Sequence, residues 1–135
     1  MKELEEMIRR AIEDEESEIA AYIRLASMAG KEDVRRVLLS IAEDSIVHSE
    51  VLKGLLRALE RIRGLRRRLA KEHGDLVGEL RTHLSIELLA GTVYSDMLSY
   101  ADVGSLKAVL ETLEREEERH AKMVKGLIKM LEKAS

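Results

Sequence analysis

The chain has 135 residues, enough for one core, and its 45% hydrophobic content is enough to fill it. It contains no cysteine, proline, tryptophan or phenylalanine, which excludes disulfides, zinc–thiolate sites, iron–sulfur clusters and rubredoxin-type iron, and leaves oxygen and imidazole nitrogen as metal donors. The formal net charge is −3 with both signs interspersed, so nothing points to nucleic acid.

The amino-terminal stretch MKELEEMIRRAIEDEESE is charged throughout. It lacks an apolar run of signal-peptide or membrane-span length, and the protein reads as cytoplasmic, with no membrane partner. Alanine, leucine, glutamate, lysine and arginine dominate, the composition of long helices. Gly30, Gly64, Gly74 and Gly104 mark joints, predicting helices at 2–29, 32–63, 75–101 and 105–133. Each would run roughly 40–45 Å, the length scale of a helical bundle.

Apolar residues recur at alternating spacings of three and four. The first helix gives Leu4, Ile8, Ala11, Glu15, Glu18, Tyr22, Leu25 and Ala29; the second gives Val34, Leu38, Ile41, Ser45, His48, Leu52, Leu55, Leu59 and Ile62. Between the second and third helices lies a basic run, Arg57, Arg61, Arg63, Arg66, Arg67, Arg68 and Lys71. Without aromatic residues for stacking, it reads as a solvated connector rather than an anion-binding patch. His73, in the same connector, reads as solvated.

The third helix gives Leu76, Leu80, His83, Glu87, Ala90, Tyr94, Met97 and Ala101, and the fourth Leu106, Leu110, Leu113, Glu117, His120, Val124, Leu127 and Leu131. Every stripe turns polar near its middle. Uncompensated carboxylates in a core cost several kcal/mol, and a shared metal compensates four stripes at once. Met7, Met28, Met97, Met123 and Met130 read as packing residues.

The halves match without gaps at an offset of 72: Glu15 with Glu87, Tyr22 with Tyr94, Leu38 with Leu110, His48 with His120, and Gly54-Leu55 with Gly126-Leu127. The repeat unit is one helical hairpin, about 1–63 and 75–135, around connector 64–74. Two such hairpins, related by an approximate two-fold, would form a single domain over 1–135 with one central site.

Glu117-Glu118-Arg119-His120 is a Glu-x-x-His motif, which puts a carboxylate and an imidazole one turn apart on one helix face. This spacing recurs in iron and manganese carboxylate bundles. With Glu15 and Tyr22, the segment Ile41 to Glu50, and Glu87 with Tyr94, the chain resembles the ferritin-like superfamily along almost its whole length. It is most similar to small rubrerythrin-like or erythrin members without a rubredoxin domain. The resemblance implies an all-α, ferritin-like four-helix bundle holding two iron ions, with manganese or zinc as substitutes. It makes Glu15 and Glu87 terminal ligands, Glu117 a bridging carboxylate, and His48 and His120 imidazole ligands. Tyr22 and Tyr94 become catalytic-site neighbours whose hydroxyls bond to ligand carboxylates.

The sequence departs from that pattern where Ser45 holds the place of the second bridging glutamate. Glu18, one turn beyond Glu15, is a substitute; a water or hydroxide bridge is another. Asp44 is a poorer one, about 100° around the helix from Ser45. His83 reads as a neighbour of the site rather than a ligand. The activity implied is a di-metal oxidoreductase acting on peroxide, dioxygen or Fe(II), fed by an external electron donor. Its alternative is a metal-binding or structural bundle without turnover. Connector 64–74 spans at most roughly 36–40 Å when extended, a tight fit for a crossover, so the expected state is a homodimer, hairpin-swapped or side by side.

Overall fold

The computed structural model describes residues 2–66 and 75–134. Among these residues the chain is all helical, with α1 (Lys2–Met28), α2 (Glu32–Arg66), α3 (Leu76–Leu98) and α4 (Gly104–Ala134), and no strand. No described helix is long and apolar enough to cross a membrane. The chain divides into two compact units, Met1–Ala70 and Lys71–Ser135. In the first, α1 packs on α2; in the second, α3 packs on α4.

Two boundaries differ from the sequence reading. Helix α2 runs through Gly64 to Arg66, because glycine in a helix interior costs only about 1 kcal/mol and Arg63, one residue earlier, is tied to Glu5 of α1. Helix α3 stops at Leu98, where the backbone N–H of Ser99 donates to Asp96 and the Ser99 hydroxyl donates to the same carbonyl at 2.7 Å. The rest of the basic connector, with Arg67, Arg68, Lys71 and His73, lies outside the described residues.

In the first hairpin, Arg35 of α2 reaches back to the last turn of α1. Its Nη2 donates to the Ala29 carbonyl at 3.0 Å and its Nε to Ala26 at 3.3 Å, so a cation satisfies carbonyls that the helix end leaves unpaired. At the other end of the hairpin, the Arg63 guanidinium is paired with the buried carboxylate of Glu5. In the second hairpin, the Asp75 carboxylate accepts from the Gly78 N–H at 3.0 Å to cap α3, and Arg81 is paired with Glu132 of α4.

The packing faces are rotated from the expected ones by one row of side chains. On α1, the row Glu5, Ile12, Ile19 and Ala26 is turned inward beside Ile8, Glu15 and Tyr22, while Leu4, Glu18 and Leu25 are exposed. On α2, Leu38, Ser45, Leu52 and Leu59 are joined by Ala42, Ser49 and Leu56, while Val34, His48, Leu55 and Ile62 face outward. The same rotation recurs in the second hairpin. There Val77, Leu84, Gly91 and Leu98 of α3 replace Leu76, His83 and Met97, and Glu114, Ala121 and Ile128 of α4 replace Leu106, Leu113 and Leu127. The physical reason is steric. Small side chains at Ala26, Ala42, Ser45, Ser49, Gly91 and Ala121 let the paired helices approach closely between the larger Leu38, Leu52, Leu84 and Ile128.

Replacing Ala42, 3% exposed, by leucine is therefore expected to destabilise the first hairpin by about 1–3 kcal/mol through overpacking. A lowered urea midpoint at unchanged m-value is the measurement that checks it.

Candidate metal centre

The rotation leaves the polar middle of the second hairpin intact. Helix α3 delivers Glu87 from its half-buried row, and α4 delivers Glu117 and His120 from adjacent turns. One donor atom from each of these three residues lies within 4.8 Å of the others. They are the three residues of that half predicted to be ligands, and among the described residues no other group of three histidine or acidic donors assembles. Opposite them, Gly91 presents no side chain to the Cβ of Glu117. The result is a groove of about 340 Å³ between the helices, lined by Glu87, Gly91, Thr92, Glu114 and Glu117.

A carboxylate oxygen of Glu87 and one of Glu117 lie within 4.8 Å of each other. The hydrogen bond with Glu87 pushes the Glu117 carboxyl above the usual carboxylate range, helped by burial and by the charge of Glu87. The same bond from Glu117 holds Glu87 below that range, with further help from the imidazole of His120. The pair is thus one acid and one base, set apart by mutual proximity. The His120 Nδ1 lies 3.4 Å from the Glu87 carboxylate, and its Nε2 lies 3.9 Å from Glu116. Glu116 is in turn gripped by Arg119, whose Nη2 donates at 2.6 Å. Each ring nitrogen therefore has a carboxylate near it, with Glu116 at 3.9 Å lying beyond hydrogen-bond range. Sequence reasoning missed Glu116; its signal is the i, i+4 spacing to His120.

In the first hairpin, Glu15 and His48 meet at 3.5 Å through the same His Nδ1, but the third donor is absent because Ser45 is buried at their level. Glu18 is exposed on the outward row of α1 and joins no such cluster. The acid of α1 that does cross to α2 is Glu16, another residue the stripe pattern passed over. Its carboxylate accepts from the Ser49 hydroxyl at 2.6 Å and from Lys53 at 3.0 Å, which together hold it below the usual carboxylate range. Tyr22 and Tyr94 are half-buried, and no hydrogen bond joins either hydroxyl to a carboxylate among the described residues. His83 is exposed one turn before Glu87, where its charge contributes to lowering Glu87.

No protein-family model, curated protein or solved structure matches this chain.

The opposite shifts of Glu87 and Glu117 can be tested directly. Glu87→Gln removes the neighbouring charge and presents an amide N–H to Glu117, so the Glu117 titration is expected to move down, back to the ordinary range or below. In the unaltered protein it should titrate above the other glutamates, because its charged form is the disfavoured one. Carboxyl-carbon NMR across an acid titration reads both.

Proposed function

We propose that this chain is a ferritin-like, rubrerythrin-type metal protein whose metal is held by Glu87, Glu117 and His120, and that it acts as an oxidoreductase on peroxide, dioxygen or Fe(II). The observation that carries this reading is the convergence of two carboxylates and an imidazole from two helices on one point. Two oxygen donors and one borderline nitrogen suit Fe(II) or Mn(II), with zinc as a competitor. The opposite shifts of Glu87 and Glu117 favour the same reading, since a divalent cation relieves the repulsion between the two carboxylates.

In this reading the bound metal supplies valence change and Lewis acidity. The protein's part is to gather the donors: α3 and α4 bring the two carboxylates and the imidazole within 4.8 Å of one another, and Glu117 is the carboxyl that would have to lose its proton to hold a metal. Metal affinity should therefore fall as pH drops through the raised Glu117 titration, with proton release on binding. The chain has no cysteine, so electrons for peroxide or dioxygen reduction come from an external donor. The matched contacts of Glu15 with His48 at 3.5 Å and Glu87 with His120 at 3.4 Å support a bundle descended from one duplicated hairpin. The first copy has kept the carboxylate–imidazole pair and lost the acid at Ser45.

A second reading, metal binding without turnover, is favoured by one observation: Ser45 is 6% exposed, and a buried neutral hydroxyl cannot take over a bridging carboxylate's charge.

Metal analysis of protein purified without chelator, then anaerobic Fe(II) titration and peroxide addition, distinguishes the readings. Rapid peroxide consumption supports the oxidoreductase, stable binding alone supports the second reading, and no binding rejects both. Glu117→Ala is expected to weaken metal binding by more than about 100-fold, since even losses outside the donor set cost 10–100-fold. Metal content surviving that change would reject the donor assignment. Ser45→Glu is expected to raise the metal-to-chain ratio by restoring a third donor beside Glu15 and His48, which elemental analysis reads.

A further inference from the structure

The chain has no cysteine, so its oxidisable sulfur is all thioether. The methionines that the sequence reads as packing residues are exposed in the two hairpins: Met28 by 73%, Met130 by 65%, Met7 by 64%, Met123 by 56% and Met97 by 46%. Peroxide turns a thioether that it can reach into the sulfoxide, so exposure alone sets an order among the five, with Met28 first and Met97 last. One of them differs from the rest in its neighbour. Long side chains on an α-helix lean towards the N-terminus, over the residues three and four positions earlier. Met123 therefore leans over the turn that carries Arg119 and His120. None of the other four has a residue of the donor cluster in those positions; Met130, seven residues further along the same row of α4, leans over Gly126 and Leu127. The His120 side chain is itself 42% exposed, which leaves this turn open to a solute as small as peroxide.

We propose that Met123 is an oxidation site served by the neighbouring donor cluster: peroxide gathered at Glu87, Glu117 and His120 passes one oxygen atom to the Met123 sulfur. The inference rests on the metal-binding reading above and adds a reductant within the chain. Its two reactants balance the step. The thioether gives up two electrons, the O–O bond breaks, one oxygen becomes the sulfoxide oxygen, and the other leaves as water with both protons. No external electron donor takes part, and the sulfoxide returns to thioether only by a separate enzymatic reduction. A reactant held beside one sulfur acts there at a high effective concentration. At Met130, about 15 Å along the helix from His120, it acts only at its concentration in solution.

Met123 and Met130 provide a matched test, since Met130 is the more exposed of the two. The samples are the chelator-treated chain, the chain loaded anaerobically with Fe(II), and Glu117→Ala given the same iron. Bound iron is measured by elemental analysis; each sample then meets the same brief peroxide exposure, is quenched with catalase, and is mapped for sulfoxide by peptide mass spectrometry. Circular dichroism checks that the variant remains helical, and if it does not, the chelator-treated chain supplies the comparison. The chelator-treated chain and Glu117→Ala are expected to follow exposure, with Met28 and Met130 ahead of Met123. In the loaded chain Met123 is expected to overtake both and to react about tenfold faster than Met130. Bound iron with Met123 still behind Met130 overturns the inference and leaves the metal-binding reading standing. Met123 ahead in every sample also overturns it, because its rate then owes nothing to the donors. A chain that binds no iron overturns that reading as well.

Discussion

Two helices joined by a short turn bury only what lies between them. An α-helix carries an apolar stripe three or four residues in every seven, and a single neighbour covers about two heptad rows of it. Here the rows between the helices mix small side chains, Ala26, Ala42, Ser45, Ser49, Gly91 and Ala121, with larger ones such as Leu38, Leu52, Leu84 and Ile128, and the small ones let the helices approach closely enough for the large ones to pack. Other large apolar residues, Leu4, Leu25, Val34, Leu55 and Ile62 in one hairpin and Leu76, Met97, Leu106, Leu113 and Leu127 in the other, are left on the outward row. The placement of the polar residues follows from the same choice. Glu15, Glu87 and Glu117 stay half-buried because their rows are shared between the two faces, and His48 and His120 stand at the edge of the contact.

That division explains what can be read from the sequence and what cannot. The four helices are legible to within a few residues, because their 3.5-residue periodicity is long and no proline breaks it. The groups that meet across the second hairpin are legible too: Glu87, Glu117 and His120 are the polar interruptions of otherwise apolar stripes, and Glu-x-x-His fixes two of them on one face. The stripe alone does not tell which of its rows faces the hairpin partner. A period of 3.5 marks a face roughly three rows wide, and the choice among them depends on the volumes opposite, which involve a second helix. Glu18 sits on the row that the hairpin leaves outside, and Glu16, one position beyond Glu15, crosses to Ser49 and Lys53 instead. Glu5 with Arg63 is equally hidden in sequence, since the two are joined only by the antiparallel return of α2.

The two hairpins solve one electrostatic problem in two ways. Each sets a glutamate of its first helix against a histidine of its second at nearly the same distance, and such a pair is compensated when the imidazole is protonated. The second hairpin then adds Glu117, a second carboxyl beside Glu87, and the two push each other apart, Glu117 above the usual carboxylate range and Glu87 below it. The first hairpin has Ser45 there, a hydroxyl that tolerates burial without charge. One arrangement is complete in itself, and the other sets two carboxyls against each other.

The difference between the two hairpins thus lies in an imbalance rather than in any single residue. A carboxylate kept protonated by its neighbour stores unfavourable interaction that disappears when a divalent ion takes the proton's place. Glu116, 3.9 Å from His120, adds negative potential, and Arg119 is paired with Glu116 rather than with the carboxyl pair. A lysine or arginine directed at Glu87 would have neutralised the pair permanently, as Lys53 does for Glu16 in the other hairpin. The difference between these two glutamates is that Glu16 is answered by a fixed cation and Glu87 by a neighbouring carboxyl that holds its own proton more tightly.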